Sequence, residues 1–586
     1  MSKSFLVILT SFFTVFTLYV KIKYVDTELR QFIFPLLAYG LIVYGSIFFE
    51  KKHYIKTISL ITFALCSIFF IIMQTNQVVP FTGKDYLIYV AFSISVANIL
   101  TLSKQIFGRG GKTYWIFAVV LLISLFPIIL LWAYYFSSGA WLSVESCMAI
   151  LQTNPSEAEN YVRDHINLIG IIGVIIIIAY VKGIFDVMKN LTLRKLSGKL
   201  SCALIVFILL NIGLAIRTRE NIVTVIAYDT KAYATGYWEY AAGREERKKN
   251  LSQLIGQIKR GDDGVYVLVI GESVTRDHMG CYGYYRQNTP WMTSMLLSNG
   301  YVQFNKAWSC ANDTVSALTY ALTSKNQYNT EDLKDAVSII DIANAVGYET
   351  VWLSNQVQYG LADTPITTIA SEAKQQIWVH DKVGHLKDGR YLDLPDYYDE
   401  RLIPAIDNIK LSSRMLIVIH LMGSHNSYKM RYPERYNIFT SGDKELDTDE
   451  YDNSILYTDT VLSDLYEHVS KMADFKVLLY FSDHGEGIDA HVGHDSNRYT
   501  TQMTRIPMAL CMSPKFMEED NDRYLKIRNS AERYFTNDLV FDLMINLMNI
   551  DAGKYVNEEN DVLNDKYNND RNRFKTSYGK REIKDK

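Results

Sequence analysis

Residues 265–290 read VYVLVIGESVTRDHMGCYGYYRQNTP, an apolar run that opens into a turn rich in glycine and hydroxyl side chains. The run at 265–270 is short and rich in β-branched residues, so it predicts a buried β-strand rather than a helix. This strand delivers one carboxylate, Glu272, to the carboxyl end of the sheet, where the sites of α/β proteins assemble. Glu272 is therefore a candidate metal ligand; the alternative is that it caps a helix.

Two later apolar runs end in the same way. MLIVIH at 415–420 leads into LMGSHNSY, and KVLLYF at 476–481 leads into SDHGEGIDAHVGHD. Across residues 261–550, strand-like and helix-like runs alternate, which predicts one large α/β domain with a mainly parallel central sheet. The active site of such a domain is expected at the carboxyl ends of its strands.

An acidic residue and a histidine, Asp483 and His484, follow the last of these strands directly. With Glu272 they make a set of three nitrogen and oxygen ligands, which suits Zn²⁺ with one coordination position left open. A structural zinc would take four protein ligands, commonly cysteines. The pattern therefore indicates a catalytic metal.

A threonine in WSCANDTVSALTYAL, at residues 308–322, adds a candidate nucleophile. Thr314 begins a predicted helix after a polar loop, and a helix N-terminus favours a phosphate group. Taken singly, Thr314 fits better as an ordinary N-cap or first-turn residue, and the whole set of motifs favours the nucleophile.

The ordered set of motifs resembles the membrane-bound phosphoethanolamine transferases of bacterial envelopes, in the alkaline phosphatase and sulfatase superfamily. The resemblance covers roughly residues 260–550 and rests on VLVIGES, YGYYRQNTP, SCANDTVSALT, GYETVWLSNQ, HLMGSH and FSDHGE. It implies a sulfatase-like α/β fold. It also implies that Thr314 carries phosphoethanolamine and binds one tight Zn²⁺ together with Glu272, Asp483 and His484, with a second, weaker metal as an option.

The resemblance also assigns phosphate-handling histidines. His425 matches a histidine that contacts the substrate phosphate, and His494 is the preferred match for a second one, with His491 as the alternative. Both would neutralise phosphate oxygens or protonate leaving groups. Glu486 is expected to support a ligand from outside the metal's own set.

The reaction that the resemblance implies moves phosphoethanolamine from phosphatidylethanolamine, through a covalent intermediate on Thr314, to lipid A, the lipopolysaccharide core or another envelope glycan. Two alternatives stay open: a phosphoglycerol transferase of the lipoteichoic acid synthase type, and an inactive membrane sensor with the same fold. A sulfatase is disfavoured because SCANDTVSA lacks the C/S-x-P-x-R motif. The net charge of −3 argues against a nucleic-acid partner.

Residues 1–216 predict a polytopic helical membrane domain. Seven apolar runs have the length of a bilayer-crossing helix, at about 4–20, 32–50, 55–74, 85–103, 115–136, 166–185 and 200–216. Basic loops alternate with base-poor ones, which places the catalytic domain on the outer face of the membrane. The resemblance implies that the membrane is the bacterial inner membrane and that the catalytic domain lies in the periplasm. Residues 217–260 predict a partly helical juxtamembrane linker, and 551–586 a polar, exposed C-terminal tail.

The chain has six cysteines and no C-x-x-C, so neither a disulfide framework nor a thiolate zinc site is expected. Many relatives by resemblance bridge the cysteine of the nucleophile loop to one ten residues later, where this chain has Tyr320 instead. Pairing of Cys281 with Cys310 or Cys511 stays open.

Overall fold

The computed structural model of the chain describes the catalytic region almost continuously and the N-terminal third in part. The described residues are Ala64, 114–138, Leu142, Cys147, 168–190, 222–254, 261–356, 365–379, 384–385, 391–392, 398–441, 446–494, 499–577 and 579–585. The chain divides into two compact units, Met1–Val144 with Val162–Thr230, and Glu145–Tyr161 with Lys231–Lys586.

The described residues of the first unit include two long apolar helices, α1 (Tyr114–Ser138) and α2 (Leu168–Asn190). They pack together, with the rings of Trp132 and Tyr180 centred 4.8 Å apart. Among the described residues, one stretch, Leu168–Asp186, is long and apolar enough to cross a membrane, and Leu125–Ser137 is a shorter apolar helix. These helices coincide with the predicted spans at 115–136 and 166–185; the other five predicted spans lie outside the described residues except for Ala64.

The second unit is built on a seven-stranded sheet with the order β2-β10-β9-β1-β8-β4-β5. Strands β9, β1, β8, β4 and β5 are parallel, whereas β10 runs antiparallel to both of its neighbours. This confirms the prediction of a mainly parallel α/β domain. The strands are β1 (Gly264–Gly271), β2 (Tyr301–Gln303), β3 (Ala307–Trp308), β4 (Glu349–Ser354), β5 (Gln375–Trp378), β6 (Gly384–His385), β7 (Tyr391–Leu392), β8 (Arg414–His420), β9 (Phe475–Ser482), β10 (Met508–Met512), β11 (Phe535–Thr536), β12 (Lys575–Thr576) and β13 (Arg581–Glu582).

Helices cover both faces of this sheet, so its central strands are apolar on both sides. In β1, Tyr266, Leu268 and Ile270 enter one buried core, and the alternate residues Val267 and Val269 enter the other. The helices are α3 (Ile222–Ala242), α4 (Arg244–Leu254), α5 (Pro290–Met295), α6 (Thr314–Ala321), α7 (Ile339–Ala345), α8 (Pro365–Glu372), α9 (Leu402–Ile406), α10 (Leu446–Ser470), α11 (Pro514–Glu519), α12 (Asn521–Asn529) and α13 (Val540–Leu547).

The C-terminal segment corrects one expectation. Residues 551–586 were expected to be exposed, yet Val562, Phe574 and Ile583 are buried in the core on one face of the sheet. The Thr576 hydroxyl donates to the Ser309 carbonyl at 2.8 Å, which ties this segment to the loop before α6. The prediction of an exposed tail was wrong because widely spaced apolar residues can dock onto a core that other elements build.

The predicted linker is helical over α3 and α4 and also packs. Arg247 of α4 is buried, donates to Glu372 at 3.1 Å and lies 3.8 Å from Asp341. Its guanidinium also sits over the ring of Tyr240, 3.8 Å from the centroid. Helix α4 is therefore part of the second unit's structure.

Candidate active site

Glu272 lies directly after β1, where the backbone turns sharply. Ser273 adopts a left-handed conformation with φ 62°, which few residues other than glycine adopt. Its hydroxyl donates to Glu272 Oε1 at 2.8 Å, and its N–H donates to Asp483 Oδ1 at 3.0 Å. The turn thus holds two carboxylates side by side.

Asp483 and His484 come from the neighbouring strand. Because β9 is parallel to β1, with Ile270 paired to Phe481, the two strands end at the same edge of the sheet. His484 Nε2 lies 3.4 Å from Glu272 Oε1 and 3.5 Å from Asp483 Oδ2. His484 Nδ1 is 3.0 Å from the Gly485 carbonyl, which places a proton on Nδ1 and orients the ring so that Nε2 faces the two carboxylates.

Thr314 is the first residue of α6, and the side chain of Asp313 caps that helix by accepting from the Ser316 N–H at 2.9 Å. The Thr314 hydroxyl lies 3.1 and 3.2 Å from the two oxygens of Glu272. It is also 3.3 Å from His484 Nε2. The structure therefore brings together all four residues of the predicted metal set.

The ligand atoms of Glu272, Asp483 and His484 are arranged so that they could bind a cation. One ligand atom each from Glu272, Asp483 and His484 lie within 4.8 Å of one another, and all three side chains are buried. Asp483 Oδ2 is buried and has no hydrogen-bond partner among the described residues, which fits an oxygen that binds a cation. Nitrogen and oxygen donors in this number suit Zn²⁺.

The pKa shifts of Glu272, Asp483 and His484 also fit a cation-binding site. Burial and the neighbouring Glu272 charge raise the pKa of Asp483 to about 7. Burial opposes ionisation of Glu272 as well, but the hydrogen bond and charge of His484 outweigh it and hold the Glu272 pKa below its usual range. Burial disfavours the His484 imidazolium, yet Asp483 and Glu272 raise its pKa well above the ordinary value. Without a metal the cluster gathers protons, and a bound cation would take their place.

His494 is brought beside the metal set. Its ring centroid is 4.9 Å from that of His484, and its Nδ1 is 2.8 Å from Glu486 Oε1. Burial lowers the His494 pKa, but the Glu486 charge and hydrogen bond outweigh it, so the net shift is upward. The alternative residue, His491, lies apart from the metal set; its Nδ1 is 3.7 Å from Asp447, and its side chain is 56% exposed.

His425 lies on the turn after β8, close enough to Glu272 for their charges to interact. Its Nδ1 is buried and has no hydrogen-bond partner among the described residues. Burial lowers the pKa of His425 to about 4, so the ring is neutral near pH 7. His484, Glu486 and His494 form a second group that could hold a metal, and it shares His484 with the first.

Several residues that shape the site were not predicted from the sequence. Both carboxylate oxygens of Asp399 accept from the turn after β8, from the Met422 and Gly423 N–H groups at 2.8 Å each. The Asn537 side chain donates to the Asp483 carbonyl at 2.7 Å. Neither residue lies in a recognisable motif. The left-handed Ser273 had only one local signal, its place in the G-E-S turn.

The cysteines near this region are unpaired. Cys281, Cys310 and Cys511 are free and buried in the structure. Burial raises the pKa of Cys281 and of Cys511 to about 12 each, so both thiols are protonated.

The model of the sulfatase family matches residues 265–548. Among curated proteins, the phosphoethanolamine transferase OpgE of Escherichia coli K12 is 31% identical over 282 residues, covering 46% of this chain and 48% of OpgE. The phosphoethanolamine transferase EptC of the same strain is 26% identical over 314 residues, covering 48% of this chain and 52% of EptC. The chain spans about half the length of the curated relatives it matches.

A solved structure extends the likeness to the fold as a whole. The integral membrane protein lipooligosaccharide phosphoethanolamine transferase A (EptA) from Neisseria meningitidis superposes with a TM-score of 0.57. The match covers 87% of this chain and 96% of EptA at 18% sequence identity. At that identity the likeness establishes a shared fold.

Proposed function

Because residues 265–548 form a sulfatase-family domain with phosphoethanolamine transferases among its relatives, we propose that this protein transfers phosphoethanolamine between envelope lipids. The donor is phosphatidylethanolamine. The acceptor is lipid A, the lipopolysaccharide core or another envelope glycan. The enzyme is an inner-membrane protein whose catalytic domain faces the periplasm, as the charge pattern of its predicted loops indicates.

The observation that carries this proposal is the position of the Thr314 hydroxyl. It lies at the N-terminus of α6, 3.1 Å from Glu272 and 3.3 Å from His484. The start of a helix does not by itself explain why two buried carboxylates and an imidazole surround the Thr314 hydroxyl. Such a cluster suits a nucleophile, because a nucleophilic hydroxyl must lose its proton before it bonds to phosphorus.

Glu272, Asp483 and His484 are the residues that would hold Zn²⁺. When bound, zinc supplies a Lewis acid that lowers the pKa of a hydroxyl and offsets the charge of a phosphate. The partial positive charge at the start of α6 favours the same anionic group. In the first step the Thr314 hydroxyl gives its proton to the Glu272 carboxylate, 3.1 Å away, and Thr314 Oγ1 forms a bond to phosphorus while the bond from phosphorus to the diacylglycerol oxygen breaks.

The two histidines then differ in role because their environments differ. His494, held through Nδ1 by Glu486 and with its pKa raised by that carboxylate, suits delivery of a proton to the departing diacylglycerol oxygen. His425, which is neutral, suits a hydrogen bond to a non-bridging phosphate oxygen. In the second step an oxygen of the acceptor hydroxyl or phosphate bonds to phosphorus while the bond to Thr314 Oγ1 breaks. An acceptor hydroxyl gives its proton to His494, and Thr314 Oγ1 recovers its proton from Glu272.

The test is to find the intermediate. Full-length protein in detergent is incubated with phosphatidylethanolamine without acceptor and digested, and peptides are analysed by mass spectrometry. We expect one phosphoethanolamine unit on Thr314, and none in Thr314→Val, which keeps the side-chain shape but lacks the hydroxyl. The matched control is Thr319→Ala on the same helix, because the Thr319 hydroxyl donates to the Val315 carbonyl at 2.5 Å and stays within the helix.

Modification of the Thr314→Val protein at the wild-type rate would refute the assignment. The acceptor is a separate question. Mass spectrometry of lipid A and core oligosaccharide, with and without the gene, should show which fragment gains one phosphoethanolamine unit.

A further inference from the structure

The loop that follows the metal ligands of β9 carries His494, so its conformation decides where that ring sits. Within the loop, the Gly487 N–H donates to the Gly493 carbonyl at 2.7 Å, and the Val492 N–H donates to the Gly487 carbonyl at 3.2 Å. These bonds close the loop on itself. The Asn312 side chain holds the far end of the loop by donating to the His494 carbonyl at 2.9 Å, and the Gly485 N–H donates to the Met503 carbonyl at 2.8 Å. Near the tip of the loop, the side chain of Asp489 makes the contact to the rest of the domain.

Asp489 is held at both carboxylate oxygens although its side chain is 72% exposed. His278 Nε2 lies 3.1 Å from Oδ1, and the Gln502 side-chain amide donates to Oδ2 at 2.7 Å. The Gln502 side-chain oxygen also accepts from the Asp489 N–H at 3.3 Å. Water could hydrogen-bond to an exposed carboxylate, yet here both oxygens contact protein side chains. Asp489 therefore attaches the loop to the domain.

His278 is buried and connects this anchor to the body of the domain. Its Nδ1 lies 2.9 Å from Asp452 Oδ1, on helix α10. The other oxygen of Asp452 accepts from Tyr284 at 2.9 Å and from Arg286 at 2.7 Å. The His278 ring also packs on Tyr284, with centroids 4.5 Å apart. The histidine therefore has a rigid partner on one side and the loop on the other.

We propose that His278 is a positioning residue for the transfer reaction: by bridging Asp452 to Asp489 it holds the 485–494 loop so that His494 stays beside His484. The inference rests on the proposed function, because His494 acts on the substrate only if the protein is a transferase. His278 lies in the sequence TRDH, to which the reaction gives no other role.

The bridge requires a doubly protonated ring. Carboxylates accept and do not donate when ionised, so His278 must donate from both nitrogens, as an imidazolium. Burial opposes that charge, but the Asp452 and Asp489 carboxylates outweigh it and raise the pKa of His278. The ring of Tyr451, 5.7 Å away, also faces His278. Arg286 balances the second oxygen of Asp452, so the network is not left with excess negative charge on that side.

The test breaks the loop side of the bridge and leaves the core intact. In Asp489→Asn the side-chain NH₂ group replaces one carboxylate oxygen and cannot accept a hydrogen bond. It must face the donor of either His278 or Gln502, so one of the two hydrogen bonds is lost. Misplacing a catalytic group by about 1 Å can cost about 10²-fold in rate. Because Asp489 holds the loop and touches no metal ligand, we expect kcat for phosphatidylethanolamine turnover to fall by about tenfold with KM and zinc content unchanged. Asp489→Glu should recover part of the loss, and Asp522→Asn, an exposed aspartate whose carboxylate lies 3.2 Å from Lys526, should behave as wild type.

A double-mutant cycle separates positioning from general stability. If Asp489 acts through His494, adding Asp489→Asn to His494→Ala should lower kcat no further, whereas independent effects would multiply. Multiplicative losses would overturn the proposal. Hydrogen exchange provides a readout that does not need catalysis: the 485–494 amides should exchange faster in Asp489→Asn and in His278→Asn than in wild type. Unchanged exchange would overturn the bridge itself, while an inactive wild-type protein with faster exchange in the variants would refute the proposed function and leave the bridge standing.

Discussion

Gly423 is where a single added carbon should displace Glu272 and slow the reaction. This glycine has φ +50°, and a Cβ built on it would lie 2.9 Å from the Glu272 carbonyl oxygen and 3.0 Å from the Glu272 nitrogen. Ordinary contact begins at 3.4 Å, so the Glu272 backbone would have to retreat by about 0.5 Å. Functional groups need to be held within about 0.5 Å of their productive geometry, and a misplacement of about 1 Å can cost about 10²-fold. We therefore expect Gly423→Ala to lower kcat by about tenfold.

A second glycine isolates this steric effect from backbone strain. Gly347 has φ +87°, and a Cβ built there meets no heavy atom of the described residues within 4 Å. A left-handed alanine costs about 1–2 kcal/mol at either position. Both variants should therefore unfold at a lower temperature or denaturant concentration than wild type. Only Gly423→Ala should lose turnover, measured with a fluorescently labelled phosphatidylethanolamine as donor. Equal turnover in the two variants would refute the argument that the close approach of Gly423 sets the position of Glu272.

Three further outcomes follow from the structure. Alanine at Glu272, Asp483 or His484 should lower zinc content, measured by metal analysis, together with activity, because a three-ligand site has no spare ligand; full zinc with no activity would contradict metal binding there. Removal of residues 551–586 should prevent folding, measured by loss of cooperative thermal unfolding, because each buried apolar side chain contributes about 1.5–3 kcal/mol. Burial and the Asp341 charge raise the pKa of Glu372 to about 7, so the folded state holds an extra proton, and stability should fall as pH rises from about 4.5 to 7; Glu372→Gln should flatten that dependence in thermal melts.

The strand ends that carry the site were predictable because their signal is local. Runs such as VYVLVI and KVLLYF are β-branched and aromatic over six residues, and the polar residue after each run must lie at the strand's end. The sequence does not say which strands are neighbours. The sheet order places β1 between β9 and β8, and this adjacency is what joins Glu272 to Asp483 and His484.

The features that the sequence left open or did not reveal depend on contacts made only in the folded domain. His491 and His494 stand in the same short loop, and spacing cannot say which ring turns toward His484; the Glu486 hydrogen bond to His494 exists only in the folded loop. The docking of 551–586 is similar, because its buried residues have no helical or strand period. Asp399 was missed because the sequence around it has no motif. Only the folded structure shows that Asp399 accepts hydrogen bonds from the turn that carries His425.

Main-chain hydrogen bonds hold the carboxyl end of β1 on both sides. They determine which substitutions of the proposed metal ligands should also lower stability. On the β8 side, the Ser424 N–H donates to the Glu272 carbonyl at 3.0 Å. On the β9 side, the Asp483 N–H donates to the Gly271 carbonyl at 3.3 Å. These bonds use backbone atoms, so truncating the side chain of Glu272 leaves them in place. Substituting Glu272 or His484 should therefore remove chemistry without removing the strand ends that surround it. Asp483 is different, because its Oδ1 also accepts the Ser273 N–H at 3.0 Å, and Asp483→Ala should cost stability as well as metal.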